Sequence, residues 1–317
     1  MAGVLITEKC NLKCPYCFAQ DRMTDSNCIT LEQYDNILQY ALNSGEDELK
    51  LVGGEPTIHP HFDEIIKMSN AWARSTGGNY IVFTNGILIR RFLPFINFDY
   101  GSVLVNYNST RYTGEHATQE IYAFLDDARK KGLLDIGKVS VGFNVFVGQK
   151  EQDFESVYSL IRHYGLKNIR VSTATPPYEI GRDDFFTKIK ASFICFLKTC
   201  EKLGIKNFLF DCNVVPYCYF TNEELEYLKT LNYPFAPCCS DPVLDISGNM
   251  TATCCLGAGC KERVSLNDFD DLTAVRRYFQ ATYIFPMLNN LPQKCKECRL
   301  GKTYQCLGGC LRFLNSD

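Results

Sequence analysis

At 317 residues, with 33 Lys and Arg against 36 Asp and Glu and a formal charge of −3, the chain is long enough to bury a substantial core and suits one large domain plus a smaller one. No Lys/Arg block is long enough to form a nucleic-acid footprint, so duplex DNA or RNA is excluded as an expected partner. The opening MAGVLITEKC lacks a basic stretch followed by an apolar one, and nowhere do the roughly 20 apolar residues of a membrane span run together. The expectation is a cytoplasmic protein with no membrane partner. Thiols stay reduced in that compartment, so metal ligation explains the 17 cysteines better than a disulfide framework does.

From Val4 to Leu203 short apolar runs alternate with helical periodicity, the pattern of βα units on a parallel sheet. Six strands are predicted, over Val4–Thr7, Glu48–Val52, Tyr80–Thr84, Ser102–Asn106, Lys138–Val147 and Asn168–Ser172. Directly after the first comes CNLKCPYCF, which sets Cys10, Cys14 and Cys17 at C-x3-C-x2-C. Three thiolates can hold a [4Fe–4S] cube and leave one iron without a protein ligand, whereas a cube kept for structure or electron relay normally takes four. Two such close steps can also hold zinc.

Further along, Thr30 and Gln33 form a capping box for a helix whose stripe is Leu31, Tyr34, Ile37, Leu38, Ala41 and Leu42, ending near Gly45. The second strand runs into Gly53-Gly54-Glu55-Pro56; two glycines let backbone approach a ligand, and the carboxylate can accept from an ammonium group. His59 and His61 behind it are read as surface or helix-start residues. Thr84-Asn85-Gly86 closes the third strand as a tight turn, Asn106-Tyr107-Asn108 ends the fourth, and Asn144 lies in the fifth. A later helix carries Phe154, Val157, Leu160, Ile161 and Tyr164 before Gly165. Cys28, Cys195 and Cys200 are read as core residues.

Past residue 204 the composition turns rich in cysteines and turns: Cys212 and Cys218, the pairs Cys238-Cys239 and Cys254-Cys255, Cys260, then Cys295-x2-Cys298-x7-Cys306-x3-Cys310. Eight thiolates suffice for two fully ligated cubes, and the set chosen is Cys212, Cys218, Cys239, Cys254, Cys295, Cys298, Cys306 and Cys310. The choice within each pair is arbitrary, and a zinc ribbon is the alternative for the last four. Thr221 with Glu224 reads as another capping box.

The three-cysteine loop together with GGEPT resembles the radical SAM superfamily, and the tail resembles the SPASM extension of radical SAM maturases. The resemblance implies an α/β fold: a partial (β/α)6 TIM-like barrel over residues 1–204, with a small cysteine-rich C-terminal auxiliary-cluster domain over 205–317. S-adenosylmethionine would sit on the open iron, with Gly53, Gly54 and Glu55 at its amino group and Tyr16 meeting adenine through its backbone. Thr84 and Asn85 would line the site, and Asn106, Asn108 and Asn144 would reach ribose or carboxylate. It further implies an external donor such as flavodoxin or ferredoxin, reductive cleavage to a 5′-deoxyadenosyl radical, and hydrogen abstraction from a peptide or protein that is then oxidised or cross-linked. A dehydrogenase, epimerase or tailoring enzyme for a small metabolite is the second reading. A noncatalytic iron–sulfur carrier or zinc module is the third. The tail departs from the SPASM pattern in its seven-residue gap after Cys298, one extra residue between Gly248 and Cys254, and no cysteine after Cys310; either Cys212 or Cys218 would then supply the missing ligand, or one cluster would keep an open iron. The first strand begins almost at Met1, which leaves no expected room for a leader-binding domain ahead of it and counts against a peptide substrate.

Overall fold

ELKLVG and NYIVFT alternate more and less buried residues while AGVLIT is buried almost throughout, and these runs assemble into parallel strands with one face under helices. The computed structural model describes residues 2–17, 19, 27–174, 180–211, 215–234, 242–254, 262–303, 305, 306, 308, 309 and 313. In chain order these form β1 (Ala2–Thr7), α1 (Leu31–Asn43), β2 (Glu48–Gly53), α2 (Phe62–Thr76), β3 (Asn79–Thr84), β4 (Gly101–Asn106), α3 (Thr110–Thr113), α4 (Glu115–Lys130), β5 (Val139–Val145), α5 (Glu151–Tyr164), β6 (Asn168–Thr173) and α6 (Arg182–Lys202). There follow β7 (Asn207–Phe210), α7 (Asn222–Thr230), β8 (Leu244–Ser247), β9 (Thr251–Cys254), β10 (Val264–Ser265), α8 (Leu272–Phe279) and three short turns of helix, α9 (Phe285–Leu288), α10 (Gln293–Glu297) and α11 (Arg299–Lys302).

The six predicted strands are β1 to β6, parallel and in sequence order, as a partial TIM-like barrel requires. The sheet is open and extends beyond six. Among the described residues it has ten strands, ordered β10-β9-β8-β1-β2-β3-β4-β5-β6-β7. β7 adds parallel to β6, β8 adds parallel to β1, and β9 and β10 continue antiparallel. Between β3 and β4 a 3-10 turn at Ile89–Phe92 replaces the crossover helix of a regular unit.

Helix ends follow the local signals. Thr30 and Gln33 make the reciprocal capping bonds, as do Thr221 and Glu224, while Gly77 and Gly165 end α2 and α5 in the left-handed conformation that glycine adopts freely. Tyr34, Ile37, Leu38 and Ala41 bury the inner stripe of α1, and α6 brings a row of phenylalanines over β5, with Phe196 stacked on Phe143 at 5.0 Å. The opposite face of the sheet carries half-buried Lys50, Phe83, Asn106, Asn144 and Arg170. Of the three cysteines expected in the core, Cys200 is buried, Cys28 is half-buried with its sulfur 3.1 Å from the Thr7 hydroxyl, and Cys195 is exposed on the outer side of α6. His59 corrects a second expectation: it is buried, with Nε2 2.8 Å from the Ile29 carbonyl and Nδ1 accepting from the His61 amide. Those partners select the neutral tautomer protonated on Nε2, and burial lowers its pKa.

Candidate active site

The loops at the C-terminal ends of β1, β2 and β3 meet. The Gly54 amide donates to the Thr7 carbonyl at 2.9 Å and the Glu55 amide to the Lys9 carbonyl at 2.7 Å, so the β1–β2 pairing continues into the approach to Cys10. The two glycines are explained by this contact: a Cβ on Gly53 would lie 2.5 Å from the Thr7 carbonyl oxygen, and one on Gly54 would lie 2.2 Å from that of Lys9. The close approach that the sequence assigns to a ligand is, at these atoms, an approach of the chain to its own cysteine loop.

Glu55 is 1% exposed, and its carboxylate is the latch between β2 and β3. Oε1 accepts from the Thr57 amide at 3.2 Å, the Thr57 hydroxyl at 2.5 Å and the Thr84 hydroxyl at 2.7 Å; Oε2 accepts from the Asn85 amide at 2.7 Å. Burial outweighs these donors and holds the carboxyl above its ordinary pKa. The Asn85 side chain then reaches into the cysteine loop, where its Nδ2 donates to Asn11 Oδ1 at 2.7 Å. Asn11 carries no sequence signal beyond lying between Cys10 and Cys14.

The thiols of Cys10, Cys14 and Cys17 are half-buried and repel one another as thiolates. Burial, then Cys10 and Cys17, push Cys14 up to about 12, and burial also raises Cys10, with the Glu55 carboxylate adding to it. Among the described residues no three His, Cys, Asp or Glu side chains close around a point as ligands of one ion would. Three thiols on one loop are the donor set that a [4Fe–4S] cluster with one open iron would take. The cluster would also supply the positive charge that releases such reluctant protons.

The Asn106, Asn108 and Asn144 side chains, expected at ribose or carboxylate, are engaged within the protein. Asn108 Nδ2 lies 3.6 Å from Cys14 Sγ, and its Oδ1 accepts from the Tyr16 hydroxyl at 2.6 Å. Tyr16, whose ring lies 5.0 Å from that of Phe146, also bonds Asn144. Asn144 Oδ1 accepts from Ser172, while Asn106 Oδ1 accepts from Arg170 at 3.2 Å, and Arg170 pairs with Asp211. The turn that carries Asn108 is pinned by Asp153, 1% exposed, which takes Ser109 at 2.6 Å and Arg111 at 3.0 Å. Sequence reasoning missed Asp153 because it reads as an ordinary residue in the first turn of α5. Asn108→Ala takes from the Tyr16 hydroxyl one of its two side-chain partners, leaving Asn144, and removes a donor from Cys14. The expected loss is about 1–3 kcal/mol of folding stability, checked by urea unfolding.

At the other end of the chain, Cys218, Cys295 and Cys306 lie close enough to interact electrostatically. The Cys306 sulfur accepts from the Gly308 amide at 3.4 Å. Cys298 is exposed, and Cys254 is buried at the end of β9. Cys212, Cys239 and Cys310 lie outside the described residues.

Residues 4–161, from β1 into α5, match the family model described as the Radical SAM superfamily. GTP 3′,8-cyclase of Synechocystis is 23% identical over 305 residues, covering 90% of this chain and 86% of that protein. The GTP 3′,8-cyclase of Chlorobaculum tepidum is 28% identical over 90 residues, so the match spans 26% of that relative's length. Among solved structures, Streptococcus suis SuiB bound to precursor peptide SuiA superposes with a TM-score of 0.64 at 16% identity, over 98% of this chain and 71% of that one. Native anSMEcpe with bound AdoMet and Cp18Cys peptide gives 0.65 at 16% identity, over 100% and 91%. These two likenesses are of fold. Among the described residues no helix is long and apolar enough to cross a membrane. With the family match laid over the cysteine loop and the Gly-Gly-Glu turn that grips it, the chain belongs to the radical SAM superfamily of enzymes, whose cofactors are a [4Fe–4S] cluster and S-adenosylmethionine.

Proposed function

We propose that Cys10, Cys14 and Cys17 hold the [4Fe–4S] cluster and that the chain uses it to cleave S-adenosylmethionine and take a hydrogen atom from a peptide or protein substrate. The observation that carries this reading is the continuous hydrogen bonding from Gly54 and Glu55 into the loop of the three thiols. When bound, the cluster and S-adenosylmethionine supply the chemistry, a one-electron split of the sulfonium to methionine and a 5′-deoxyadenosyl radical. The chain's own contribution is placement. Glu55 keeps a lone pair on Oε2 after Asn85 that an ammonium donor would use; Gly53 and Gly54 keep the loop in register, and Thr84 and Asn85 tie it to β3. Asn108, tied to Cys14 and Tyr16, with Asn106 and Asn144 held from β6, lines the same mouth.

Residues 205–317 are proposed to form the SPASM-like auxiliary region, a division from 1–204 by chemistry, since β7 to β10 hydrogen-bond into the barrel sheet. The thiols grouped at Cys218, Cys295 and Cys306 support one auxiliary cluster there, with Cys310 as its further ligand. Cys212, Cys239, Cys254 and Cys298 are left for a second.

Peptide oxidation or cross-linking is favoured by the likeness along nearly the whole chain to SuiB and anSMEcpe, whose structures hold peptides. A small-molecule substrate is the second reading, favoured by the match over 90% of this chain to a GTP 3′,8-cyclase. An external flavodoxin or ferredoxin would deliver the electron.

Anaerobically reconstituted protein with dithionite is expected to release 5′-deoxyadenosine from S-adenosylmethionine, and Cys14→Ala to abolish it; equal turnover in the variant refutes the assignment. Iron of about twelve per chain accords with three cubes and about four with the first alone. Mass spectrometry of a coexpressed neighbouring peptide, reading a loss of two hydrogens, separates the peptide reading from the small-molecule one.

A further inference from the structure

Arg182 opens α6, where a cation opposes the positive end of the helix dipole. Its side chain is only 12% exposed, whereas the adjacent Asp183 is 67% exposed and lies 3.4 Å away. So exposed a carboxylate neutralises the guanidinium weakly, and it is shared with Lys294 at 3.1 Å and with the Tyr219 hydroxyl. The guanidinium faces inward. Nε and Nη2 grip the Gly308 carbonyl at 3.0 and 2.7 Å, Nη2 lies 3.7 Å from Cys295 Sγ, and Nη1 lies 3.4 Å from the Tyr219 hydroxyl. The rings of Phe186 and Tyr219 lie 5.7 and 5.8 Å from the guanidinium carbon.

Gly308 has a φ of +75°, and a Cβ there would lie 3.1 Å from Nη2 and 3.3 Å from Cys295 Sγ, so glycine at this position leaves the guanidinium free to approach the sulfur. A mostly buried cation against the helix dipole needs an anion nearby, and the sulfur within reach is Cys295 Sγ, 3.7 Å from Nη2, with Cys218 and Cys306 grouped close to it.

We infer that Arg182, assisted by Lys294, is a positioning residue that raises the reduction potential of an auxiliary cluster at Cys218, Cys295 and Cys306. The inference rests on the auxiliary-cluster reading above. An added electron increases the negative charge on the cluster, and a nearby cation and a hydrogen bond to a ligand sulfur both stabilise that state.

The test uses the full chain with Cys10, Cys14 and Cys17 all changed to Ala, reconstituted anaerobically, its metal measured first and its auxiliary signal then followed in an EPR-monitored redox titration. The cluster in question is the signal that a further Cys295→Ala change removes. Arg182→Met is expected to weaken reduction at least tenfold, 59 mV for a one-electron couple, while Arg182→Lys, which keeps the charge, stays within about threefold of the parent. Lys294→Met, which leaves Arg182 and its grip on Gly308 in place, is expected to shift it in the same direction by less, and more strongly at low salt. Should Arg182→Met lose its iron, Lys294→Met decides. An unchanged midpoint in whichever variant keeps its iron overturns the inference. Zinc or no metal in the parent overturns the auxiliary reading and the inference with it, and this shows in the metal content before any titration.

Discussion

Gly54→Ala is expected to strip the protein of the iron that depends on Cys14. The new Cβ would sit 2.2 Å from the Lys9 carbonyl oxygen, 2.5 Å from its carbon and 2.9 Å from the Glu8 oxygen. All three are backbone atoms, with no flexible side chain to swing aside, so the loop leading to Cys10 has to move. That movement breaks the pairing of Gly54 with Thr7 and of Glu55 with Lys9. Overpacking of this kind typically costs about 1–3 kcal/mol, but the decisive readout is iron per chain, expected to fall by the full complement of the first site. Gly45→Ala is the control. Gly45 has a φ of +69°, and a Cβ there would meet nothing within 4 Å, so alanine loses about 1–2 kcal/mol through left-handed strain and keeps its iron.

The second large effect is expected at Glu55. Glu55→Ala leaves two backbone amides and two hydroxyls without the acceptor they share, at about 1–3 kcal/mol for each buried donor left unpaired. The variant should unfold at markedly lower urea or fail to accumulate. Glu55→Gln keeps one oxygen for Thr57 and Thr84 but turns an amide NH2 toward the Asn85 N–H, so its loss should be a fraction of the alanine loss. The pH dependence follows from the raised pKa of Glu55. The folded protein holds that proton more tightly than the unfolded chain does, so the group's contribution is fully present below the unfolded value and is lost as pH rises through the folded one. Glu55→Gln should remove that decline, read as a smaller difference from wild type at neutral pH than at acid pH.

Much of the first site is legible in the chain because its parts are local. C-x3-C-x2-C, Gly-Gly-Glu and the capping boxes each complete their geometry within a few residues, and apolar runs bounded by turns place β1, β2 and β3. Their meeting at one mouth follows from parallel strands with right-handed crossovers. The roles inside that mouth were not legible. Spacing offers no reason for Asn108 to meet Cys14, 94 residues away, or for Asp153 to pin the turn beside it.

The cysteine tail divides in the same way. Its spacing alone raises the expectation of metal ligands, since so many cysteines in so short a stretch exceed what packing uses. Only the folded chain brings Arg182 to Cys295 across 113 residues, and only it lays β8 beside β1 and β7 beside β6 to widen six predicted strands into an open sheet of ten among the described residues. Strand and helix periods are written over a dozen residues by hydrogen-bond geometry and burial, so sequence determined the elements, the caps and the candidate ligands. Which distant edge a strand joins, and which sulfur a buried cation faces, depend on where packing leaves unpaired edges and uncompensated charge, and tertiary structure decided those.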